Sequence, residues 1–259
     1  MTFDSYYWRK FRLTTPDLQR ARELVTSRRD LQAFELLLHS EDTAAVGIAF
    51  DQYHYADAST RYGTSSPFAK YDDEVVARAR EILRRAPSPE SDAAEPGASH
   101  ASALGALANL AEPEDAELIV RALSLTRTPN LRLAAAMAAG SALEKAASPN
   151  EQLIMALGAI VLDDTATHDE RSGAIAALGR TRSELATDAL LRTTLVRDPS
   201  LQASAALHLL DRDRRAHRAR VEELARSWPN DPPYPAEDVL ELLAEPGESD
   251  GEMDEPDEG

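Results

Sequence analysis

The sequence predicts an all-α fold built from helical hairpins stacked side by side. Period-2 runs of β-branched residues, the mark of half-buried strands, do not occur. Ala- and Leu-rich segments with helical spacing recur from Ala98 to about Ala244, separated by short breaks. Aromatic residues divide the chain: of 14 Phe, Tyr and Trp, 12 lie between Phe3 and Tyr71 and none from Asp72 to Ser227. The first part can build a core around large rings. The second has to pack small aliphatic side chains, which lets helices approach closely.

Thr15-Pro16-Asp17 opens the first helix, with Pro in the first turn, where its missing N–H would have been unpaired anyway. LQRARELV follows at helical spacing. Asp30 caps a second helix carrying Leu31, Phe34, Leu37 and Leu38. Glu41-Asp42 opens a third, running through AAVGIAFDQYHYADASTRYG and ended by Gly63 and the Ser-Ser-Pro at 65–67. Asp72-Asp73-Glu74 then places acid where a helix N-terminus favours it, and VVARAREILRRA ends that helix on basic residues. These elements form an N-terminal aromatic-rich helical region, 1–86. The stretch 87–97 is rich in proline and acid and is expected to be a linker or inserted loop. The repetitive array spans 98–244. The end, EPGESDGEMDEPDEG (245–259), has eight acidic and no basic residues and is expected to be a disordered tail.

Charge and composition narrow the function. The chain of 259 residues carries a net charge of -17, and setting the tail aside leaves -9. Such a balance disfavours gripping a phosphate backbone and favours attraction to a basic protein partner. The absence of cysteine excludes a thiolate nucleophile and a Cys-based zinc site. The opening MTFDSYYWRKFRL is not a secretory signal, and no run of about 18 apolar residues exists, so a cytoplasmic protein without a membrane span is expected.

The repeat shows when the Ala-rich segments are aligned. SHASALGALANL starts at Ser99, PNLRLAAAMAAGSAL at Pro129, HDERSGAIAALGRT at His168 and DPSLQASAALHLL at Asp198. Mixed amphipathic helices alternate with them at 115–123, 150–162, 184–196 and 217–228. Gly105, Gly140, Gly179 and His208 occupy equivalent places at intervals of 35, 39 and 29 residues. This resembles HEAT-type repeats, whose pattern is a break with Asp-Pro, an Arg two or three residues on, and an Ala-Ala-x-Ala-Leu-Gly helix. Pro129 with Arg132 and Asp169 with Arg171 keep the Arg; Asp198-Pro199 keeps the break but has Gln202 instead. The resemblance covers roughly 98–228. It implies a right-handed α-solenoid with an N-terminal helical cap, in which each hairpin buries its apolar face on the next.

Candidate site residues fall into two groups. The segment from Asp51 to Asp57, followed by Arg61 and Tyr62, is unusually polar and aromatic. On a helix, Val46, Ala49, Phe50 and Tyr53 share one face, and Asp51, His54, Tyr55, Arg61 and Tyr62 fall mostly on the other. These residues either form a partner-binding patch, since Tyr and Arg dominate interface energetics, or pack their rings against Phe3–Phe11. The array supplies Arg132, Arg171 and Arg180 as binding candidates, with Asn109, Glu144 and Gln202 also on the expected inner face. Arg171, Arg180, Arg182, Arg192 and Arg197 cluster in sequence, and a denser basic run (Arg212, Arg214, Arg215, Arg218, Arg220) could pair with the acidic tail.

No metal or other cofactor is expected. Asp51, His54 and Asp57 are too loosely spaced on one helix to converge on an ion, and the six His are scattered. HEAT-like hydroxylases hold iron with His-Glu dyads, which this chain lacks, and HEAT-like DNA glycosylases need a basic, aromatic groove. Phosphate-loop, nucleophile-elbow and H-E-x-x-H motifs are missing too. The expectation is a non-enzymatic adaptor that binds a protein partner, with nucleic acid disfavoured. The alternatives are a HEAT-scaffold enzyme or lyase with a pocket near Asp51–Tyr62, and nucleic-acid binding through the Arg patches.

Overall fold

The computed structural model describes residues 7–60, 66–86, 97–125 and 129–245. Side chains of 57–60 and 129 are outside that description, as are Arg61, Tyr62, most of the 87–97 stretch and the acidic tail beyond Glu245. Among the described residues the chain is all-α, with thirteen α-helices and no strand. None of these helices is long and apolar enough to cross a membrane.

The chain forms two compact units, Met1–Ala186 and Thr187–Gly259. The first holds α1 (Pro16–Arg28), α2 (Leu31–Leu38), α3 (Thr43–Thr60), α4 (Asp72–Arg84), α5 (Ala98–Ala106), α6 (Ala116–Leu123), α7 (Pro129–Lys145), α8 (Glu151–Leu162) and α9 (His168–Gly179). The division falls within α10 (Glu184–Thr193). The second unit continues with α11 (Pro199–Arg212), α12 (Arg214–Ala225) and α13 (Ala236–Ala244).

Side-chain caps set most helix starts. Thr15, Asp30 and Asn150 each accept from the backbone N–H three residues on. Asp42 accepts from Ala44 at 2.9 Å. Thr167 and Glu170 form a reciprocal capping box at α9, and Asp198 and Asp213 cap α11 and α12.

In the first unit, α3, α5, α7 and α9 form one row, each packed on the next. Helices α4, α6 and α8 form a second row in the same way. Contacts of α4 with α5, α6 with α7 and α8 with α9 join the rows. Small residues allow the close approach: a Cβ on Gly173 of α9 would lie 2.8 Å from Leu133 Cδ1 of α7. At the N-terminal side, Phe34 stacks on Phe68 with ring centroids 4.2 Å apart, and Tyr71 closes the cluster with its hydroxyl donating to Glu35 at 2.9 Å. Trp8 is fully buried, lies against Gly47 of α3, and donates its indole N–H to Ser102 of α5.

The second unit has its own core. Ala203, Ala206 and Leu210 of α11 meet Val221 of α12, Trp228, and Ala236 and Val239 of α13. The Trp228 indole N–H donates to Gln202 Oε1 at 3.0 Å, and the Gln202 amide donates to the Val196 carbonyl at 2.7 Å.

Helix C-termini are finished by side chains from elsewhere in the same unit. Arg78 of α4 donates to the Ser40 carbonyl beyond α2, Arg121 of α6 to the Leu83 carbonyl of α4, and Lys145 of α7 to the Asn109 carbonyl beyond α5. Arg220 of α12 reaches the Leu191 carbonyl of α10. Arg214 and Arg218 of α12 hold the last carbonyls of α13. These contacts place positive charge at or just beyond the negative end of a helix, and those to Leu83, Leu242 and Leu243 satisfy last-turn carbonyls.

His100 of α5 does similar work as a neutral ring, donating Nε2–H to the Arg85 carbonyl after α4 at 3.1 Å. Burial holds its pKa below the usual 6.5; the Arg85 hydrogen bond opposes this and the Arg121 charge adds to it. Stability from the neutral ring is therefore complete above pH 6.5 and is lost as pH falls from there toward the lower folded-state value. We expect the urea midpoint to drop through that window and His100→Gln to flatten the drop. A wild-type midpoint that does not move would rule this out.

Candidate functional site

The α3–α5–α7–α9 row carries a groove of about 620 Å³, contained within the first unit. Its floor is made of small side chains: Ala108, Ala136, Gly140, Ser141, Ala176 and Ala177. Close packing accounts for this, because the residues that let neighbouring helices approach also leave little side-chain volume above the seam. A Cβ on Gly140 would stand 3.6 Å from Ala177 Cα, so the floor is already in van der Waals contact.

Polar groups rim this apolar floor. Arg180 at the end of α9 pairs with Glu144 of α7 at 3.0 Å, both half-exposed. Lys145 reaches Glu112 at 2.9 Å and the Asn109 carbonyl at 3.2 Å. His54 of α3 and Asn109 complete the lining, and the partly exposed Met137 stands among these groups. Ser141 does not offer its hydroxyl proton to the groove, since it donates to the Ala111 carbonyl.

The sequence candidates are distributed unevenly around this groove. His54, Asn109, Glu144 and Arg180 are brought together in it. Arg132 lies inside the protein, 3.3 Å from both Asp163 and Glu170, with a side-chain exposure of 6%. Arg171 donates Nε–H to the Val161 carbonyl at 2.8 Å. Thr165 first, and Arg132 with it, hold the Asp163 carboxyl below its ordinary range. Gln202 belongs to the second unit and binds Trp228 there. Arg61 and Tyr62 lie outside the described residues.

Asp51 is buried along with Gln52 and Tyr53. Helix α3 is covered by α1, α2 and α5, so it has no fully solvated face over this stretch. Tyr55 is half-buried beside His54, with ring centroids 5.8 Å apart. Burial raises its pKa, the Asp51 charge raises it further, and Arg9 offsets part of the effect. Arg9, near the N-terminus, therefore lies within electrostatic range of Tyr55.

The basic run of the second unit is engaged internally through Arg212, Arg214, Arg218 and Arg220. Arg214 also pairs with Glu245 at 3.0 Å. Pairing with the rest of the acidic tail lies outside the described residues. Among the described residues, no group of three or more His, Asp or Glu is placed to hold a metal ion.

Sequence reasoning missed Met137, Ala176 and the small-residue floor. The only available signal was Ala and Gly on the outward phase of the repeated helices. No protein-family model matches the chain, and no curated protein matches it.

Proposed function

We propose that the protein is a non-enzymatic adaptor that binds a protein partner along the groove over α3, α5, α7 and α9. The observation that carries this reading is the groove itself: an open apolar floor, the partly exposed Met137 and a rim of paired charges. Interfaces with an apolar centre and a polar rim have this composition. We read the two rows as a right-handed α-solenoid of HEAT-like hairpins, capped by the N-terminal helices. The row-on-row order of contacts and the recurrent Ala-rich helices support that reading. The net charge of -17 favours a basic partner and speeds its approach at low salt.

The test fills the groove from a position where the fold tolerates it. Ala176 is exposed on α9, so Ala176→Trp should shift stability by no more than about 0.5 kcal/mol. Full-length wild type and Ala176→Trp are used as baits in extract from the source cells. A basic protein retained by the wild type and lost from the variant, at equal melting temperature, is the expected result. Equal retention by both would remove the groove from the binding surface.

A further inference from the structure

We propose that the basic N-terminal strip of the first unit is a docking site for a short acidic peptide segment of a partner protein. Charge is distributed unevenly along the chain. Residues 1–29 carry seven basic and three acidic side chains, whereas the remaining 230 carry 21 and 42. Within that strip, Arg9, Lys10, Arg12, Gln19, Thr26 and Ser27 line a cleft of about 590 Å³ against α1.

The strip is held rigidly. Arg22 of α1 is buried and donates Nη1–H to the Phe11 carbonyl at 2.7 Å and Nη2–H to the Arg9 carbonyl. Trp8 anchors the same strip from the other side through Ser102. Between these anchors Arg9, Lys10 and Arg12 are exposed. They form no ion pair among the described residues, unlike Arg78, Arg214 and Arg218, which pair with Glu81, Glu245 and Glu222. Exposed cations carried on an anchored backbone suit carboxylates.

Two features select a short peptide over a nucleic acid. The cleft is small, and Glu23 stands on its wall, so an anion is accepted at a few points and not along a continuous track. The strongly acidic remainder of the chain repels an extended polyanion, whose binding would need many phosphate contacts.

The probe is a fluorescein-labelled octaglutamate peptide, titrated with the full chain at low salt and read by fluorescence anisotropy. A single-stranded oligonucleotide of equal charge is the second arm. The triple variant Arg9→Ala, Lys10→Ala, Arg12→Ala should weaken peptide binding by about tenfold or more, three exposed pairs being lost. The charge-keeping variant Arg9→Lys, Arg12→Lys should bind like wild type. Gln19→Glu puts a carboxylate into the cleft without touching the strip, so it should weaken binding even if the triple variant folds poorly. Peptide affinity weaker than about 1 mM, or equal affinity of wild type and Gln19→Glu, would overturn the proposal. Tighter binding of the oligonucleotide than of the peptide would overturn the assignment to an acidic protein segment.

Discussion

Trp8→Ala should lower the free energy of unfolding by about 3–5 kcal/mol, the usual cost of removing a fully buried large aromatic side chain. Trp8 is 1% exposed, meets Phe11 edge-on with ring centroids 5.9 Å apart, and donates its only polar hydrogen to Ser102 at 3.0 Å. Truncation would leave a cavity between α3 and α5 and strand the Ser102 hydroxyl. A complementary change tests the same contact from the opposite side. A Cβ on Gly47 would fall 2.5 Å from the Trp8 ring, so Gly47→Ala has to move the indole and should cost about 1–3 kcal/mol. The two losses share one interaction, so the double variant should lose less than their sum. Urea melts of the three variants decide this. Additive losses would mean that Trp8 does not rest on Gly47.

Arg132→Met should cost a comparable amount, about 3–5 kcal/mol, because it leaves a buried carboxylate without its counter-charge. The Arg132 side chain is 6% exposed and that of Glu170 only 3%, whereas Asp163 keeps access to water. Glu170 also accepts from the Thr167 backbone N–H at 2.7 Å, so it cannot leave without uncapping α9. Glu170→Gln keeps that acceptor and leaves Arg132 its pairing with Asp163, and should lose clearly less. Replacing both with apolar residues, Arg132→Met with Glu170→Leu, should recover part of the deficit. A loss below about 1 kcal/mol for Arg132→Met would contradict a buried pair in this place.

Local chemistry was readable without a structure; long-range chemistry was not. Thr15-Pro16, Asp30 and Asp72-Asp73-Glu74 marked helix starts because a cap acts within one turn. Helices α5, α7, α9 and α11 coincide with the four Ala-rich segments, since their spacing is a property of the sequence itself. The Trp8–Ser102 contact joins residues 94 apart, and no local pattern records it. Helical phase said which residues share a side with Asp51, not how many sides are covered, so its burial could not be read in advance. His54, Asn109, Glu144 and Arg180 could each be named as unusual, but only packing places them around one groove. The floor of that groove escaped notice because Ala and Gly carry no functional group.

The side-chain caps bear on how order is lost. Arg78, Arg121 and Lys145 each hold the end of a helix two places earlier in the chain, so a fraying turn in one helix releases a guanidinium or ammonium of another. Disorder starting at one of these helices is thereby passed to the helix that caps it. Such contacts strengthen the coupling between neighbouring helices relative to the intrinsic stability of each one. Amide protons of the first unit's rows would then exchange with solvent as a block, through one shared opening, instead of peeling away hairpin by hairpin.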